Sequence, residues 1–120
     1  MAEDYKEKGL ENIKAIYGDF GSKNLSDMVN LNPDFAKYIT EFAYGEIYSR
    51  EGISLKTKQI VTITSLLTQG GVEAELEGHI KGALHVGLTP QEIVDVILHC
   101  LPYVGFPKVT EALKIAKSVF

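Results

Sequence analysis

The chain has 120 residues, 45% hydrophobic and 23% charged, which suits one domain spanning 1–120 with a single core. Its 16 acidic and 12 basic residues leave a net charge of −4, and no basic stripe interleaved with aromatics is present, so nucleic acid is not expected as a partner. No apolar run approaches the ~20 residues that span a bilayer, so no membrane role is expected.

The opening MAEDYKEKGLENIK is charged and has no apolar segment, so no signal peptide is expected. A helix is predicted from Ala2 to Tyr17. Its rough apolar stripe is Tyr5, Leu10, Ile13, Ile16 and Tyr17, and Gly18 is its stop. Asp19 to Asn24 reads as a loop, and Leu25 to Asn30 as a short helix. Asn32–Pro33 is a restart signal, with Asn as cap and Pro at the first helical position. The helix it starts is aromatic-rich: Phe35, Tyr38, Phe42, Tyr44 and Tyr48. That stripe is expected to be core; the alternative is a pocket wall or a subunit interface.

Ser49 to Ile53 breaks the pattern, and Leu55 to Gln69 is predicted helical. Its β-branched middle, QIVTITSLL, suits a strand by propensity. The cap at Ser54, the length and Gly70–Gly71 decide for helix. Ile60, Val61, Ile63 and Leu67 imply near-complete burial. Glu73 to Gly87 follows as a helix with the apolar stripe Leu76, Ile80, Ala83 and Leu84. Thr89–Pro90–Gln91–Glu92 is a capping box that opens a helix to about Leu101, expected to be central and buried. Pro102 ends or kinks it. A last amphipathic helix begins at Pro107. The sum is an all-α fold, a compact bundle of about six helices.

Few residues can carry chemistry. Glu75 and His79 lie four apart on one helix face, where a carboxylate can orient an imidazole and raise its pKa. An exposed polar pair worth ~0.2–0.5 kcal/mol is the competing reading. His85 suits the negative end of the helix dipole. His99 is either a satisfied core histidine or a polar group facing a pocket. HExxH and Glu-x-x-His are both absent, so no metal site is expected. Cys100 is the only cysteine, which rules out an internal disulfide and a CxxC pair and fits a reducing, cytoplasmic setting. As a nucleophile Cys100 has His99 next to it, but neighbours on a helix point about 100° apart.

The string Glu75–Leu76–x–x–His79–x–x–x–Ala83–x–x–x–Gly87–Leu88–Thr89–x–x–Glu92–Ile93, followed by Tyr103–x–Gly105–x–Pro107, resembles the carboxymuconolactone decarboxylase family over roughly Ile53 to the C-terminus. The resemblance implies an all-α fold that assembles as a homo-oligomer, commonly a trimer or hexamer. One branch removes CO2 from an unsaturated lactone. The other resembles alkylhydroperoxidase D, a peroxiredoxin-like enzyme with a CxxC pair before the family histidine and a glutamate in the preceding helix. This chain has no CxxC, and Gln59 takes the place of that glutamate. Both departures favour the decarboxylase-like branch or a non-enzymatic relative.

A cofactor-independent decarboxylase of a small lactone acid is therefore expected, with His79 and Glu75 in acid–base or oxyanion roles and His99 as a second donor. Lys56 or Lys58 would bind a substrate carboxylate, and Tyr103 and Phe106 would wall the pocket. The alternatives are a peroxidase-like activity through Cys100 and a non-catalytic oligomer that binds a small molecule.

Overall fold

The computed structural model describes residues 4–120. The Ala2 start expected for the first helix lies outside them. Among the described residues there are eight α-helical segments, one π-helix and no strand, so the fold is all-α. The chain divides after Leu55 into two compact units.

The first unit holds α1 (Tyr5–Tyr17), α2 (Asp19–Leu31), α3 (Pro33–Lys37) and a π-helix, Tyr38–Ile47. Asp4 caps α1, its Oδ1 accepting from the Glu7 N–H at 3.0 Å. Gly18, at φ 61°, ends α1 as expected. The loop expected over Asp19–Asn24 is helical instead, because α2 starts directly at Asp19. Packing overrides a weak local preference here: Gly21 is buried against Ile13, and the Phe20 ring meets Tyr17 edge-on at 6.2 Å. Asn32 caps α3 through Oδ1 and the Phe35 N–H at 2.9 Å, with Pro33 in the first turn, as its sequence predicts.

The aromatic stripe takes an unexpected form. From Tyr38 the chain runs as a π-helix, closed by the Tyr48 N–H donating to the Ala43 carbonyl five residues back at 2.9 Å. This changes which residues face inward. Thr40 and Gly45 are buried, while Phe35, Tyr38 and Phe42 are 48%, 64% and 58% exposed, so these three are not core. The inward face is shaped for backbone contact with α1. A Cβ at Gly9 would run into the Thr40 carbonyl oxygen, and one at Gly45 into the Tyr5 carbonyl oxygen. Asn12 Nδ2 donates to the Tyr44 carbonyl at 2.6 Å and to Ser49 Oγ at 3.1 Å. The Tyr17 and Tyr44 hydroxyls share a 2.6 Å hydrogen bond, and Tyr48 stacks on Tyr44 at 4.7 Å.

The second unit holds α4 (Leu55–Gln69), α5 (Glu73–His85), α6 (Pro90–His99), α7 (Leu101–Val104) and α8 (Phe106–Val119). One core joins them: Ile63 and Leu67 of α4, Leu76, Ile80 and Ala83 of α5, Ile93 and Ile97 of α6, and Val109, Ala112 and Ala116 of α8. Burying an isoleucine side chain of this kind stabilises by roughly 1.5–3 kcal/mol. Burial is narrower than expected: Val61 is 50% and Leu98 45% exposed. The capping box is formed, with the Glu92 N–H on Thr89 Oγ1 at 3.1 Å and the Thr89 N–H on Glu92 Oε1 at 2.9 Å. α6 ends at His99, and Pro102 sits in the first turn of α7, where its missing N–H costs nothing.

Candidate functional site

α5 carries the central pair. Leu76, Ile80 and Ala83 pin one face of this helix into the core. That leaves Glu75 exposed in the first turn and His79 partly buried one turn later. Burial pushes the His79 imidazole from its ordinary 6.5 down to about 4, and the Glu75 carboxylate pulls weakly the other way. Glu75 does raise the pKa, as expected, but loss of solvent outweighs it and the net shift is downward. At neutral pH His79 is an uncharged ring, with one N–H donor and one nitrogen acceptor.

A second grouping lies at the corner of α6, α7 and α8. His99 is exposed at the end of α6, with its ring centroid 6.0 Å from that of Tyr103 and the planes at 51°. Tyr103 is 79% and Phe106 73% exposed. The corner thus presents an aromatic surface to solvent.

The lysines separate. Lys56 lies over the turn between α5 and α6, where its Cε would stand 3.0 Å from a Cβ on Gly87. The Glu92 carboxyl is held low first by its hydrogen bonds from Thr89 and then by the Lys56 charge. Lys58 is half-buried one turn into α4, and its carbonyl accepts from Thr62 Oγ1 at 2.9 Å.

Cys100 is 8% exposed, its Sγ 3.5 Å from the Val96 carbonyl, and burial raises the thiol pKa. Such a thiol stays protonated, which makes it a poor nucleophile. His85 is exposed in the last turn of α5, at the helix-dipole position expected for it. Among the described residues, no three His, Cys, Asp or Glu side chains converge to hold a metal ion.

One polar side chain escaped sequence reasoning as a buried group. Gln59 is fully buried, and neither of its amide atoms has a hydrogen-bond partner among the described residues. Its signal was in the spacing: Gln59, Ile63 and Leu67 recur every four residues and are the buried positions of α4.

Comparison with known proteins bears on the whole arrangement. Residues 33–118 match the carboxymuconolactone decarboxylase family. The chain is 35% identical to the 4-carboxymuconolactone decarboxylase of Acinetobacter baylyi, over 98% of this chain and 88% of that one. It is 29% identical to the nitrosuccinic acid decarboxylase of Metarhizium robertsii, over 90% of this chain and 78% of that one. With most of its length matched, the chain belongs to the carboxymuconolactone decarboxylase family.

Proposed function

We propose that the protein is a cofactor-independent decarboxylase of a small unsaturated lactone acid, similar to γ-carboxymuconolactone. The reading is carried by His79, a partly buried imidazole kept neutral beside Glu75 on the core-anchored helix α5. Two relatives named as decarboxylases support the reaction class.

The chemistry follows from electron flow. The bond from carbon to the carboxylate breaks, CO2 leaves, and the electron pair passes into the conjugated lactone carbonyl as an enolate. One proton then replaces CO2 on carbon. A neutral imidazole is too weak an acid to give up its N–H outright, so His79 serves best as the donor that holds the developing oxyanion. Glu75, one turn away, orients the ring. His99 is the proposed source of the proton, directly or through water. Lys56 or Lys58 is the proposed partner of a substrate carboxylate. Tyr103 and Phe106 become pocket wall when a second copy covers them, in a cytoplasmic homo-oligomer, a trimer or hexamer.

His79→Gln tests the assignment. Loss of an oxyanion donor lowers turnover by about 10²–10³. An unchanged rate removes His79 from the mechanism.

A further inference from the structure

A cavity of about 240 Å³ lies within the second unit, and none of the side chains assigned to decarboxylation lines it. Leu67, Leu76 and Ala112 form its buried floor, with Ile115 beside them. The cavity opens to solvent, and its volume is enough for a six-membered ring. An apolar ring laid on the Leu67–Leu76–Ala112 floor takes apolar surface out of water, which favours binding.

The charges sit at the mouth. Lys108, Glu73 and Glu111 line the cavity and are exposed. Glu111 has its own cation, Lys114, at 3.7 Å. That leaves one ammonium and one carboxylate, Lys108 and Glu73, and no net charge to attract an ion. Lys108 is also held in place, because its Nζ donates to the Thr68 carbonyl at 2.6 Å. An ammonium has three protons, so two remain for another acceptor.

We propose that this cavity binds a small uncharged cyclic molecule, its ring on the Leu67–Leu76–Ala112 floor and one carbonyl oxygen accepting from Lys108 Nζ. The site is distinct from the proposed decarboxylation residues and does not depend on that activity.

Cyclohexanone is the probe, titrated into the full-length protein while the methyl signals of Leu67, Leu76 and Ile115 are followed by NMR. Saturable shifts with a Kd of about 1 mM are expected, in the range for a seven-atom ligand. Cyclohexylamine, a cation like Lys108, should bind at least tenfold more weakly. Lys108→Met should bring cyclohexanone down to the affinity of methylcyclohexane. Ala112→Leu fills the floor and should abolish binding; if it does not fold, Ile115→Phe gives the same test from the side wall. His79→Gln should bind cyclohexanone as the wild type does, whatever its turnover. Absence of saturable shifts, equal affinity for cyclohexylamine, or binding that survives the filling variants would overturn the proposal.

Discussion

The depressed pKa of His79 makes stability depend on pH in a defined direction. The folded protein holds this ring near 4, while the unfolded chain returns it to the ordinary 6.5. Between those values the unfolded state binds a proton that the folded state does not, so acid favours unfolding. The contribution is fully present above pH 6.5, falls as the pH drops through the window, and changes no further below about 4. At pH 5 the two pKa values give a loss of about 2 kcal/mol relative to neutral pH. The assay is urea unfolding of wild type and His79→Gln at pH 7 and pH 5. Other titrating groups are common to both proteins and cancel in the double difference. The wild type should lose about 2 kcal/mol more than the variant between the two conditions. An equal loss in both would show that His79 is as well solvated in the fold as outside it, and would remove the argument for a neutral donor. Activity should follow the same ring and fall off as the pH approaches 4.

Three further outcomes follow from the packing. Gly45→Ala sets a methyl against the Tyr5 carbonyl, and backbone cannot swing aside as a side chain can, so a loss of about 3 kcal/mol is expected by thermal melting; an unchanged Tm would mean that the π-helix does not dock on α1 as described. Gln59→Met replaces a buried amide by an apolar chain of similar length and should stabilise by about 1–2 kcal/mol in urea; destabilisation would show that the amide has a partner the fold needs. Cys100 should react with iodoacetamide at least tenfold more slowly in the native protein than in urea, and Cys100→Ser should decarboxylate normally; loss of turnover in that variant would favour a thiol mechanism.

Much of the second unit was legible in the sequence because its signals are local. Thr89, Pro90 and Glu92 specify a helix start within four residues, and α4 has the bounds that Ser54 and Gly70–Gly71 imply. The first unit was less legible for a physical reason. A π-helix closes its hydrogen bonds five residues back, so a pattern read at 3.6 residues per turn assigns the wrong face. Tyr38 and Phe42 therefore read as core, while Gly45, which makes the contact with α1, reads as nothing. Asp19–Asn24 has loop composition, and its helix rests on Gly21 against Ile13, which no local rule contains. For the site, spacing put Glu75 and His79 on one face, but the sign of the pKa shift depended on how deeply each group sits. Lys56 and Lys58 looked equivalent in sequence; only the fold lays Lys56 across Gly87.

The central claim is tested most directly by incubating the purified protein with γ-carboxymuconolactone and measuring CO2 release, with a parallel sample given an organic hydroperoxide and a thiol reductant. The account predicts stoichiometric CO2 from the lactone without added cofactor and no hydroperoxide consumption above the buffer rate. Hydroperoxide turnover with no release of CO2 would contradict it.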